Sequence, residues 1–196
     1  HNEFGSLIFI GGHDFFSNGD AAVCTMMGDV WRVSGLDETL EEVTWTRIAT
    51  GLNQALGLAI HEDLVYVTCR DRIVRLHDHN SDGEIDYYEI FSDAFEVSSG
   101  SHDFSTGLQR DENGYFYFVS GELGVVRVSP DGQTATAMAD GLRNTNGIGV
   151  TPNDSIVVTS TNQGDWTPAS AIFEVEEGDF YGRGAEEDGE PIAPAM

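Results

Sequence analysis

Two sets of residues in this sequence have types and spacings that can do chemistry. The first is the run DHNSDGEIDYYE, Asp78 to Glu89. Acid or amide side chains stand at its first, third, fifth, ninth and twelfth places, and a glycine at its sixth. Hard cations such as Ca2+ take roughly six to eight oxygen ligands, and this is the spacing of an EF-hand calcium loop. Asp78, Asn80, Asp82, Asp86 and Glu89 offer side-chain oxygens, Glu84 its backbone carbonyl, and Gly83 the sharp turn. The flanks DRIVRLH and YYEIF show no helical period, so the loop is expected to act as a structural calcium staple rather than a sensor. The plainer alternative is an acidic hairpin turn.

The second set is scattered: Asn53 and Gln54, His102 and Asp103, Arg143 and Asn144, and Asn162, Gln163 and Gly164. A histidine is the side chain best matched to proton transfer near neutral pH. An arginine steadies negative charge, and amides orient a polar ligand. These residues make a site only if the fold brings them together.

A repeat provides the means. Four strand-turn-strand units stack on one another: DAAVCTMMGDVWRVSG (20–35), DLVYVTCRDRIVRLHD (63–78), GYFYFVSGELGVVRVSP (114–130) and DSIVVTSTNQGDWTPASAIFEVEEG (154–178). Their second strands begin near residues 30, 73, 125 and 172, a period of roughly 43 to 52 residues. Each unit is preceded by a short glycine-opened apolar strand: GGHDFF, LGLAI, TGLQR or NGIGV. Turns such as SNGD, DENG and TPND supply hairpin chemistry. VTWTRIAT, DYYEIFS and ATAMAD add an outer strand to the first three. Only LDETLEEV (36–43) has helical character, and a loop insertion explains it equally well.

Four strands in about 45 residues is the signature of a β-propeller blade. The chain is therefore expected to be all-β: a single propeller domain over 1–196, with blades near 10–45, 46–90, 91–139 and 140–184. Residues 185–196 form an acidic tail. A sandwich competes, but it does not repeat at this period with matched turns. In a propeller the loops ATGLNQALG, SSGSHDFSTG and ADGLRNTNG enter the innermost strands, which would gather the second set of residues at one mouth. The Asp78–Glu89 loop would pin one blade to the next.

With 40% hydrophobic residues and 11 Phe, 6 Tyr and 3 Trp, the chain can build a core. Its net charge of −25, with all nine basic residues arginine, disfavours nucleic acid and anionic membranes and suits cations. The lack of lysine suits a salt-adapted source. No apolar run approaches the roughly 18 residues of a membrane span. No signal-peptide pattern occurs and residue 1 is His, so a processed, trimmed or partial chain is expected. Cys24 and Cys69 occupy similar places in two repeats and read as strand residues, with a single disulfide as the alternative. A Rossmann fingerprint, a P-loop and a zinc cluster are all absent.

GDAAVCTMMGDVWRV, ATGLNQALGL, DHNSDGEIDYYE, SHDFSTGLQRDENGYFYF, GLRNTNGIGVTPND and NQGDWTPAS…EEGDFYG together resemble the glucose/sorbosone dehydrogenase propellers, and more closely the large dehydrogenase-like propellers of planctomycete-type bacteria. The resemblance implies a six-bladed ring, of which about four blades are present, holding pyrroloquinoline quinone (PQQ) with calcium. It implies His102 as the base that takes the substrate hydroxyl proton. It places Arg143, Asn144 and Gln54 at the cofactor, and Gln163 and Gly164 as backbone ligands of a catalytic calcium. A sugar or alcohol substrate, an electron-acceptor protein and a periplasmic or extracellular location follow from it. An incomplete ring leaves open blade edges, so the rest of a propeller or self-association is expected. Two other readings stand beside the dehydrogenase. One is a calcium-stapled, non-catalytic propeller binding a glycan or protein. The other, ranked last, is a calcium-dependent lactonase, which would require more carboxylates at the mouth.

Overall fold

Short runs of β-branched and aromatic residues, cut every five or six positions by Gly, Asp and Asn turns, leave the backbone little choice but antiparallel strands. The computed structural model describes residues 2–100, 103–151, 157–162 and 170–183, and these contain fifteen strands and no helix. They form four sheets, each a meander whose neighbours follow chain order. The first holds β1 (Ile10–Phe15), β2 (Ala21–Thr25), β3 (Val30–Ser34) and β4 (Thr44–Ala49). The second holds β5 (Gly57–His61), β6 (Leu64–Thr68), β7 (Ile73–His77) and β8 (Tyr87–Ser92). The third holds β9 (Ser105–Arg110), β10 (Phe116–Ser120), β11 (Gly124–Val128) and β12 (Ala135–Ala139). The fourth holds three described strands, β13 (Ile148–Val150), β14 (Val157–Thr161) and β15 (Ala171–Val175). These are β-propeller blades. LDETLEEV is a loop between β3 and β4.

The blades group as two compact units, His1–Phe91 and Ser92–Met196, each of two sheets. In the first, Ala22, Cys24 and Val30 of one sheet pack with Leu58, Val65, Val67, Val74 and Leu76 of the other. The innermost strands β1 and β5 approach backbone to backbone. A Cβ at Gly11 would lie 2.2 Å from the Ala55 carbonyl oxygen, and one at Gly12 would lie 2.7 Å from the Leu58 nitrogen. Only glycine fits there. Cys24 and Cys69 are free thiols in this core, Cys24 in β2 and Cys69 directly after β6. Burial pushes Cys24 up to about 12 and Cys69 up to about 11, so both stay protonated.

The second unit buries Tyr117, Val119 and Val125 of the third sheet against Val157, Phe173 and Val175 of the fourth. Phe118 is fully buried with Phe95 against it, ring centroids 4.6 Å apart. Burying a phenylalanine contributes about 1.5–3 kcal/mol, so such pairs, rather than surface ion pairs, hold the blades.

Candidate functional site

The loop between β12 and β13, residues 140–147, reads DGLRNTNG. Together with the β10–β11 turn it borders a cavity of about 440 Å3, lined by Phe104, Thr106, Gly121, Asn144, Thr145, Asn146 and Asn162. Three amides, two threonines and one aromatic ring surround this space, and none of these residues carries a formal charge. Such a lining donates and accepts hydrogen bonds to a hydroxylated or carbonyl-bearing ligand and leaves one apolar wall.

Local chemistry explains the placement. Asn144 sits at φ 45°, the left-handed region that asparagine tolerates. The Thr161 hydroxyl accepts from the Arg143 amide at 3.1 Å and donates to the Arg143 carbonyl at 3.2 Å. The Asn162 amide donates to the same carbonyl at 2.9 Å. Arg143 and Asn144 are thus tied to the end of β14, which carries Asn162 to the same cavity. On the opposite wall, buried Asp103 accepts from the Ser98 amide (2.5 Å), the Ser120 hydroxyl (3.2 Å) and the Glu122 amide (3.2 Å). Asp103 is committed to shaping the turn.

Thr145 stands apart. Its residue is 7% exposed, and its Oγ1 has no hydrogen-bond partner among the described residues. Its carbonyl accepts from the Thr106 hydroxyl at 2.9 Å. A buried hydroxyl without a protein partner costs about 1–3 kcal/mol, and beside a cavity a water or a bound ligand can meet it.

The same loop occurs in the first unit as ATGLNQALG, residues 49–57, which aligns without gaps with ADGLRNTNG, residues 139–147. Gln54, aligned with Asn144, also has positive φ (53°), and Arg70 donates to its Oε1 at 3.3 Å. Ala55, aligned with Thr145, is fully buried. Gln54 therefore holds the equivalent place in the first unit. Thr145, Thr106, Phe104 and Gly121 escaped the reading of the sequence. The signal for Thr145 was present, a polar residue where the parallel loop has alanine. His102, Gln163 and Gly164 lie outside the described residues.

The acidic run Asp78–Glu89 connects β7 to β8 of one sheet rather than one blade to another. It reaches the preceding blade through Ile85, whose amide donates to the Ile48 carbonyl at 2.9 Å. Its side chains turn in on the loop's own amides. Asp78 accepts from Ser81 (2.6 Å) and Gly83 (2.9 Å), Asn80 from Asp82 (2.9 Å) and Asp82 from Glu84 (2.9 Å). Asp86 accepts from the amides of His79 (2.8 Å) and Asn80 (3.2 Å). Glu89, the twelfth position, is in β8 and turned away. Arg75 grips both its oxygens at 2.8 and 2.9 Å, and His77 Nε2 lies 2.7 Å from one of them. These partners hold its carboxyl below the usual range, Arg75 foremost. Among the described residues no group of three or more His, Cys, Asp or Glu side chains converges as a metal site. A cation entering this loop would meet Asp78, Asn80, Asp82 and Asp86, with free lone pairs on hydrogen-bonded carboxylates, but not Glu89 in this arrangement.

No family model matches the sequence, and no curated protein matches it. Solved structures share its fold. The PQQ-bound aldose sugar dehydrogenase of Streptomyces coelicolor is 19% identical with a TM-score of 0.73, the match covering 92% of this chain and 64% of that one. The calcium structure of a carbohydrate-active enzyme of family AA12 from Trichoderma reesei is 12% identical with a TM-score of 0.70, covering 90% and 56%. The holo PQQ domain of pyranose dehydrogenase from Coprinopsis cinerea is 11% identical with a TM-score of 0.69, covering 88% and 52%. The likeness establishes the fold class, a β-propeller. The chain spans less than two thirds of the length of each of these structures.

Proposed function

We propose that the chain supplies four blades of a six-bladed, PQQ-dependent dehydrogenase that oxidises a hydroxyl of a sugar or alcohol with calcium assistance, in the periplasm or outside the cell. The observation that carries this reading is the cavity of the second unit, where the loop DGLRNTNG presents Asn144, Thr145 and Asn146 beside Asn162 and Phe104. The fold shared with PQQ-holding propellers supports it.

The residues present suit the group. Amide N–H groups and threonine hydroxyls donate to quinone and carboxylate oxygens, and Phe104 offers an aromatic surface to a planar ring system. Arg143, the one cation of the loop 140–147, adjoins the lining residue Asn144 in the chain, and by the resemblance its guanidinium would meet the group's negative charge. Bound PQQ would supply a two-electron acceptor for the hydride leaving the substrate carbon. The chain's own part is to orient the substrate through the amides and, at His102, to take the hydroxyl proton. By the resemblance, Gln163 and Gly164 would offer backbone oxygens to a calcium ion. A separate electron-acceptor protein would then reoxidise the cofactor. Calcium in the Asp78–Asp86 loop is a structural addition to this reading.

The test is titration of the 196-residue protein with PQQ in the presence of Ca2+, followed by absorbance and by dye reduction with a panel of sugars. Saturable binding with turnover, lost in His102→Ala, is the expected result. A second reading is favoured by the neutrality of the cavity lining, in which the described residues place no charge. It is a non-catalytic propeller that binds a glycan. Absence of PQQ binding together with saturable sugar binding that Asn144→Ala removes would establish it instead.

A further inference from the structure

The segment after β15, residues 176–183, does not continue its own sheet. It runs back along the outer strand of the neighbouring sheet and grips the beginning of the cavity loop. The Gly178 amide donates to the Met138 carbonyl at 2.7 Å, and the Asp140 amide to the Asp179 carbonyl at 3.0 Å. The Tyr181 amide donates to the Asp140 carbonyl at 2.9 Å, and the Arg183 amide to the Gly141 carbonyl at 2.9 Å. Asp140 and Phe180 pair in parallel. Gly141, at φ 71°, accepts the Phe180 ring so closely that a Cβ there would lie 2.6 Å from it. Tyr181 locks the segment from below, its hydroxyl donating to the Glu174 carbonyl (2.9 Å) with the Asp179 carboxylate 2.8 Å away, and its ring 4.3 Å from that of Phe173.

At the end of this rail the Arg183 guanidinium reaches two carbonyls on separate pieces of chain. Its Nη1 donates to Gly121 at 3.3 Å and to Leu142 at 3.4 Å. Gly121 lies on one cavity wall, and Leu142 stands two residues before Asn144 on the other. The parallel loop of the first unit is gripped at its corresponding residue by different means. There Thr50, aligned with Asp140, gives its amide to the Tyr88 hydroxyl at 3.0 Å and accepts from it at 3.1 Å. Two unrelated devices hold the same point of the same loop.

We propose that Arg183 is a positioning residue for the cavity, setting the separation of the Gly121 and Leu142–Asn146 walls, and that the 176–183 segment is the clasp that delivers it. The proposal rests on the cavity being the ligand site described above. A guanidinium suits the task because the two N–H bonds of Nη1 diverge in a fixed plane and can serve both carbonyls, whereas an ammonium on a flexible stem holds one geometry less firmly. Arg183 is itself exposed, so its removal should loosen the cavity without unfolding the blade.

The experiment compares wild type, Arg183→Ala and Arg183→Lys by amide hydrogen exchange, melting temperature and PQQ titration with Ca2+. Arg183→Ala should speed exchange at the Gly121 and Asn162 amides about tenfold, the equivalent of one hydrogen bond of about 1.4 kcal/mol. It should leave Val126 and Phe118 unchanged and weaken PQQ binding by a similar factor. Arg183→Lys should restore part of both. Unchanged exchange at Gly121 and Asn162 would overturn the proposal, as would a uniform rise across β9–β12 with a lowered melting temperature. Unaltered PQQ affinity in Arg183→Ala, where wild type binds, would also overturn it. If wild type itself binds no PQQ, the dehydrogenase reading fails, and the exchange data alone decide whether the clasp sets the walls.

Discussion

Thr145→Val is the most informative single change, because it should stabilise the fold while weakening the site. Valine has nearly the shape of threonine and keeps the β-branched χ1 preference, so it alters one group only. That group is a hydroxyl without a partner, on a residue 7% exposed. The desolvation cost of such a group is about 1–3 kcal/mol, and its removal returns that amount. The Thr106 hydroxyl still donates to the residue-145 carbonyl, since that contact is to backbone. The first unit provides a natural control, because Ala55 occupies the aligned position fully buried and apolar. For a chain of this length each kcal/mol moves Tm by about 2–4 °C. Calorimetry should therefore register a rise of at least about 2 °C in the apo protein. In the PQQ titration the same variant should lose about 2- to 10-fold in affinity, the net worth of one hydrogen bond. A fall in Tm would mean that the hydroxyl is satisfied in the native state and that the inference of a poised donor is wrong. A rise in Tm with unchanged affinity would leave the orphan hydroxyl without a role in binding.

Three other perturbations bear on separate parts of the molecule. Cys24 and Cys69 are buried with raised thiol pKa values, so a thiol reagent at pH 8 should label neither in native buffer and both in denaturant; rapid native labelling would contradict their packing. Tyr117 is raised to about 12, by burial first and then by its 3.0 Å hydrogen bond to Asp111. Its folded value lies above the ordinary value near 10, so its contribution is complete below pH 10 and is lost between pH 10 and 12. Urea midpoints measured across that window should fall, and Tyr117→Phe, itself less stable by about 1 kcal/mol at neutral pH, should show a shallower fall. Ca2+ titration followed by Tm tests the acidic loop: a rise abolished by Asp78→Asn and little changed by Glu89→Gln is expected, because Glu89 is held by Arg75 and His77. Equal loss in both variants would mean that Glu89 leaves those partners to become a ligand.

The blades were legible because period and turn chemistry are local. Apolar runs such as AAVCT, LVYVT and FYFVS, bounded by Gly and Asp turns, have no other way to satisfy their backbone than pairing with the next run. The loops that enter the innermost strands likewise put Arg143 and Asn144 at one mouth, with Asn162 of the fourth unit on its rim, and Asn144 and Asn162 do line one cavity. Depth was another matter. Reading DYYEIFS as an outer strand put the last carboxylate of DHNSDGEIDYYE in a strand, but left open on which side of it Glu89 stands, facing Arg75 across the sheet rather than the loop. That follows from where β8 begins, which fixes the alternation of its side chains. The clasp of 176–183 on Asp140 and Gly141 joins residues about forty positions apart through backbone groups, which have no sequence signature at all. Composition, repeat and fold class were thus properties of the sequence alone. Which polar groups are paired, which one is left waiting at a cavity, and what holds its walls apart were decided by tertiary packing. Burial assigns the partners, and burial is a property of the assembled sheets rather than of any residue in them.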